Sequence, residues 1–110
     1  MRVTSDFFVS QLVRRVFADG GFAAVERHGA EAAGAIFVLV RARNGEVTLF
    51  SPASQTHSAD DGGRRFMREE LADADALEQR LAREARFDPD FWVVEIETAA
   101  PETYLDIVAG

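Results

Sequence analysis

Neither cysteine nor lysine occurs among the 110 residues, and twelve arginines carry all the fixed positive charge. Without Cys there is no thiolate nucleophile, no Cys-based zinc site and no disulfide. Without Lys there is no phosphate-loop lysine, no Schiff-base amine and no Ser-x-x-Lys nucleophile. A GC-rich coding bias yields such Ala-, Gly- and Arg-rich chains, and the exclusions hold whatever their origin. Positive charge is also in deficit overall. The formal net charge of −7 argues against non-specific nucleic-acid binding, which needs a surplus of cations on at least one face. No apolar run approaches the roughly 18–20 residues of a membrane span, and no basic segment with an apolar h-region opens the chain. A cytoplasmic location, with no membrane attachment, is the expectation.

What is present fits one folded domain over residues 1–110: 47% hydrophobic and 28% charged residues, with nine Phe, one Trp and one Tyr to fill a core. Thr4 or Ser5 can cap a first helix that Gly20-Gly21 stops. In projection Phe8, Val9, Leu12, Val13, Val16 and Phe17 fill about half its circumference, wider than one-sided packing needs, and Phe7 falls on the polar side. Residues 22–28 read as a short strand or a helical turn, and 30–34 as a small-residue connector. Asn44-Gly45 between two β-prone runs predicts a type I′ hairpin over 35–51. Its register would pair Arg43 with Glu46, Arg41 with Thr48 and Val40 with Leu49. Ile36, Val38, Val40, Ala42, Val47 and Leu49 would then share the core face, with Phe37, Leu39 and Phe50 on the other, needing cover from a helix, a loop or a second subunit.

Residues 51–63, with Pro52, His57, Asp60-Asp61 and Gly62-Gly63, read as a loop; 64–70 suits an edge strand; Asp73 or Asp75 can cap a second helix to about Arg86. Trp92, Val94 and Ile96 face one way on a strand over 91–97, and 102–108 is a last strand or a short helix. The fold expected is α+β, with two helices packed on one face of a mainly antiparallel sheet in the order α-β-β-β-β-α-β and a final strand as an option. Strands 35–43 and 91–97 should be central.

Catalytic signals are sparse. Asp88, Asp90, Glu95 and Glu97 could hold a divalent metal, but turn-making by the aspartates and cross-strand pairing of the glutamates with Arg41, Arg43 or Arg64, Arg65 and Arg68 accounts for them. His28 and His57 could shuttle protons, yet neither has spaced partners. There is no Gly-x-Ser-x-Gly elbow, and neither Gly-Gly pair opens a helix as a phosphate loop does. No catalytic, cofactor or metal-binding residue is therefore assigned. Phe7, Phe37, Leu39 and Phe50 are the candidate contacts for a protein partner or for self-association. This points to a non-enzymatic interaction or regulatory module, a homodimer or a small subunit of an assembly. The alternative is a small-molecule or metal-dependent enzyme using carboxylates with one His.

Three segments, the opening Met-Arg-Val-Thr-Ser-Asp-Phe-Phe-Val-Ser-Gln-Leu-Val-Arg-Arg-Val-Phe, the Gly-Gly-Phe-Ala-Ala-Val-Glu-Arg-His-Gly-Ala-Glu-Ala-Ala-Gly-Ala-Ile-Phe-Val stretch and Arg-Phe-Asp-Pro-Asp-Phe-Trp-Val-Val-Glu-Ile-Glu, together resemble the DUF1491 family of alphaproteobacterial proteins. The resemblance implies a small bacterial cytoplasmic protein without a recognised catalytic motif, and it transfers no activity and no functional residue.

Overall fold

The computed structural model of the protein describes residues 3–53 and 64–108. Along the chain come α1 (Ser5–Ala18), β1 (Phe22–Arg27), β2 (Ile36–Arg41), β3 (Val47–Pro52), β4 (Arg65–Glu69), α2 (Ala74–Phe87), β5 (Trp92–Glu97), a 3-10 turn (Pro101–Thr103) and β6 (Asp106–Val108). The α+β class and the element order are those expected, and the closing strand is present, entered through the 3-10 turn.

Local chemistry sets the helix ends. Of the candidate caps, Thr4 and Asp73 act, their side chains accepting from the Phe7 and Ala76 amides. At the other end of α1, Gly20 takes φ +85°, its amide donates to the Phe17 carbonyl, and Gly21 donates to Val16. These paired bonds close the last turn and send the chain sharply into β1.

The six strands lie in the order β1-β5-β2-β3-β4-β6. Pairs β1–β5, β2–β3 and β3–β4 are antiparallel, whereas β2–β5 and β4–β6 are parallel, so the sheet is mixed. The helices also differ from the expectation, because they cover opposite faces. Val9, Leu12 and Val16 of α1 pack on Ile36, Val38, Val40, Val94 and Ile96. Leu77, Leu81 and Ala85 of α2 pack over Phe37, Leu39, Leu49, Phe91 and Val93. The reason lies in the uninterrupted apolar runs 36–40 and 91–94. A neighbouring parallel pair that is apolar at successive positions must be covered on both sides.

The hairpin register is shifted by one residue from the type I′ expectation. Val40 pairs with Thr48, Leu39 with Leu49 and Val38 with Phe50. Gly45 has φ +91° and no residue other than glycine takes a positive φ among those described, so Asn44 does not enter the left-handed region. The Gly45 amide donates to the Ala42 carbonyl, Ala42 donates to Glu46, and the Asn44 side chain accepts from the Glu46 amide. That is a three-residue loop with glycine in its last position. It turns Phe50 into the α1 core and Leu49 toward α2, exchanging the faces of β3.

Candidate interaction site

The outer strands of the sheet differ in what they present. β6 has three residues and follows a Pro-containing turn, so it offers little edge to a further strand. β1 has six residues and is flanked by exposed apolar side chains. The tight Gly20-Gly21 turn brings Phe17 of α1 edge-to-face against Phe22 of β1, with ring centroids 6.1 Å apart. Phe17 is 52%, Phe22 45% and Val25 44% exposed. A groove of about 450 Å³ runs between α1 and β1, lined by Val9, Val13, Val25 and Trp92 together with Asp6, Ser10, Arg14 and His28.

This groove is held rigidly at one end. The Trp92 indole donates to the Ala30 carbonyl at 2.8 Å, and the exposed His28 ring sits on it with centroids 4.1 Å apart. Residues 29–34 form a strap tied down by its backbone, with Ala30–Ala33 exposed, in place of the simple connector expected. A Cβ on Gly29 or on Gly34 would lie 2.5 Å from the Asp90 carbonyl oxygen, so both positions require glycine. The buried Ser5 hydroxyl donates to the Gly34 carbonyl at 2.6 Å, and the Ser5 and Asp6 amides donate to Ala32 and Glu31. Carbonyls of the strap thus satisfy first-turn donors of α1 that a helix leaves open.

Of the four proposed contact residues, Phe7 is half exposed. Phe37 and Leu39 are buried beneath α2, and Phe50 is fully buried beneath α1. These three are core residues, a correction that follows from the opposite-face packing and the shifted register. Sequence reasoning missed Phe17, Phe22 and Val25 as surface. The available signal was the excess width of the α1 apolar sector, whose rim ends at Phe17.

Several of the charged residues are paired. Arg41 binds Glu95 through two hydrogen bonds of 2.9 and 3.3 Å, one of the cross-strand pairings anticipated, and the Glu95 hydrogen bond and charge raise the Arg41 pKa. Arg80 bridges Glu69 and Glu84. Burial pushes the Glu69 carboxyl upward, but hydrogen bonds from Arg80 and Ser51 outweigh it, so its pKa is lowered. Arg65 pairs with Asp106, and Arg64 donates to Val3 and Ser5. The Tyr104 hydroxyl donates to Asp19 at 2.6 Å, which raises its pKa. Asp88 makes a turn by accepting from the Asp90 amide. Among the described residues no three His, Asp or Glu side chains are grouped to hold a metal ion. His28 meets one carboxylate, Asp6, along its groove, whereas acid–base or metal chemistry of the kind considered needs two. His57, Asp60 and Asp61 lie outside the described residues.

Two further hollows lie among the described residues. One of about 240 Å³ lies beside Arg64, Arg65 and Asp88, and an open one of about 560 Å³ runs along α2 beside Arg83, Arg86 and the exposed Phe87. The first has apolar walls from Ala35, Ile36, Pro52 and Phe66, but neither hollow adjoins an outer strand of the sheet. No helix among the described residues is long and apolar enough to cross a membrane.

Comparison with known proteins agrees with this architecture. A solution structure of an A. tumefaciens protein is 50% identical, with a TM-score of 0.86, covering 100% of this chain and 98% of that one. A crystal structure of a DUF1491 family protein from Caulobacter crescentus is 34% identical over the full length of both chains, with a TM-score of 0.78. An NMR structure of a Caulobacter crescentus DUF1491 protein is 36% identical over 98% of each chain, with a TM-score of 0.77. None of the curated proteins matches. The model of the family described as "Protein of unknown function (DUF1491)" matches residues 3–106, and the chain belongs to that family.

Proposed function

We propose that the protein is a cytoplasmic, non-catalytic interaction module that engages another protein, or a second copy of itself, along the α1–β1 rim. One observation carries the reading: a six-residue outer strand bordered by the exposed Phe17, Phe22 and Val25. Natural sheets shorten, bulge or charge such edges, because unpaired backbone groups beside apolar side chains recruit other strands. The other outer strand is short; β1 carries a bulge between Val25 and Arg27 but stays long and apolar over Phe22–Val25. Phe7, on the outer side of α1, can widen the contact.

The test is size-exclusion chromatography with light scattering, joined to amide hydrogen exchange with and without co-purifying proteins. Protection concentrated at residues 13–27 in the complex or dimer is the expected result. A monomer whose β1 amides exchange identically alone and with every co-purifying protein refutes the reading.

A further inference from the structure

The charges around the β1 edge say what kind of strand would fit there. Ala23 and Val25 align with Ile96 and Val94 on the α1 side, and Val25 borders the groove. Ala24 and Phe22 align instead with Glu95 and Glu97, on the side where Arg41 binds Glu95. Three carboxylates, Glu95, Glu97 and Glu26, act on that guanidinium, and a second cation on this face, Arg27 of β1, is turned away over the Phe91 ring and donates to the Pro89 carbonyl. Glu26 and Glu97 stay exposed and enter no ion pair among the described residues. Ala24, with a single methyl, leaves the path from outside β1 to Glu95 low enough for a long side chain to cross, whereas the Phe22 ring stands between the outside and Glu97.

We propose that β1 accepts an extended segment of another protein in which apolar residues alternate with Lys or Arg, a reading that rests on the rim being a docking surface. The segment adds one strand to the sheet. Its apolar side chains enter the groove against Val9, Val13 and Val25, with the exposed Phe17 at the neighbouring rim. Its basic side chains, on the opposite face, meet Glu26 on β1 itself and cross Ala24 toward Glu95, with Glu97 on the diagonal. Strands stand about 4.8 Å apart, so a residue beside Ala24 lies two spacings from Glu95, within the combined reach of two long side chains. A second copy of this chain fits less well, because it would bring its own Glu26 to the same edge and join two proteins of net charge −7.

The test uses two capped peptides of about seven residues, near the usual length of a strand, one alternating Val with Lys and the other Val with Glu. Each is titrated into the full chain and followed by amide NMR shifts and hydrogen exchange. The Lys peptide should shift and protect residues 22–27 and the 10–17 flank of α1, binding about tenfold or more tightly than the Glu peptide, with affinity falling as salt rises. The double variant Glu26→Lys/Glu97→Lys alters exposed positions, so it should stay folded, with a thermal midpoint lowered only slightly by repulsion from Arg41, and reverse the preference. Equal binding of both peptides at β1 overturns the basic-segment inference while leaving the docking rim standing. A concentration-dependent dimer that protects 22–27 does the same. Neither peptide perturbing β1, with the chain monomeric, overturns the inference and the rim reading together.

Discussion

Replacing Arg80 with alanine should release α2 before the rest of the sheet unfolds. No α2 side chain is fully buried, so this helix is held by a narrow apolar stripe and by what Arg80 does. The guanidinium donates to both Glu69 oxygens at 2.9 and 3.1 Å and to Glu84 at 3.0 Å, and it lies 5.4 Å from the centre of the Phe37 ring. The three charged side chains are about four-fifths buried, which leaves the bonds only partly screened. Charge-assisted hydrogen bonds contribute roughly 1.5–3 kcal/mol each in favourable settings, and partial exposure reduces that. Removing the cation also leaves two carboxylates poorly solvated, so the expected loss is about 2–4 kcal/mol. In thermal terms that is on the order of 10 °C for a chain of this size.

Urea unfolding at neutral pH measures the loss, and amide exchange locates it in α2. Arg80→Met keeps the stem over Phe37 and should recover part of the packing but none of the pairing. A double-mutant cycle with Glu69→Gln should give a coupling of about 1–3 kcal/mol. The pH dependence has a definite sign. Because the Glu69 pKa is lowered, its contribution is complete above the unfolded value near 4.3 and is lost as pH falls from there through the lower folded value. Protection of α2 in the wild type should therefore decline below about pH 4, and Arg80→Ala should abolish that acid-dependent step. If Arg80→Ala lies within about 0.5 kcal/mol of wild type, or α2 exchanges at the same rate in both, the apolar stripe alone holds the helix and the reasoning is wrong.

Phe50→Ala should cost about 3–5 kcal/mol and Phe7→Ala less than about 1 in the same unfolding assay, since one ring is fully buried and the other half exposed; equal costs would contradict the shifted register. Gly29→Ala forces a Cβ to within 2.5 Å of the Asp90 carbonyl oxygen and should cost about 1–3 kcal/mol or more, with loss of the ring-current shift that Trp92 imposes on His28. Gly45→Ala meets no neighbouring atom but must hold φ at +91°, so its penalty should be only about 1–2 kcal/mol. Ultraviolet titration should find Tyr104 ionising above the ordinary tyrosine value, and Asp19→Asn should bring it back down; an unchanged midpoint in the variant would refute the role of that hydrogen bond.

Features fixed by short-range chemistry were legible in the chain, whereas those fixed by competition between distant groups were not. Capping residues located the starts of both helices, Gly20-Gly21 the end of the first, and β-branched runs the strands, because each signal acts over a few neighbouring residues. The hairpin register failed at Asn44. A type I′ turn would have placed Asn44 at positive φ and Phe50 away from α1, whereas the three-residue loop needs one left-handed glycine and buries that ring completely. The side of the sheet taken by α2 was undetermined for a related reason. Alternation in 35–43 could be read as one buried face, when Phe37 and Leu39 were as apolar as Val38 and Val40. Gly29 and Gly34 looked like a loop because their demand for space comes from Asp90, some sixty residues later. At the interaction site, Phe17 and Phe22 were visible separately as a helix-rim residue and a strand residue, and the Gly20-Gly21 turn is what makes them one surface.

The two-sided core bears on where a partner can act. With β2 and β5 parallel and apolar at consecutive positions, both faces of the sheet centre are committed to helices, and a ligand cannot reach those strands without displacing α1 or α2. Displacing α1 would break the Ser5 hydroxyl bond and the strap contacts to Ala32 and Glu31. Access is thus directed to the sheet margins. At β6 the margin is three residues long and tied by Arg65 to Asp106, while at β1 it is twice that length and bordered by two phenylalanines. Adding a strand at β1 extends the existing hydrogen-bond ladder without disturbing either core, so binding there should raise the thermal midpoint and leave the α2 exchange rates unchanged. A partner that instead accelerated α2 exchange would be acting through the more weakly attached helix, and the margin would not be its site.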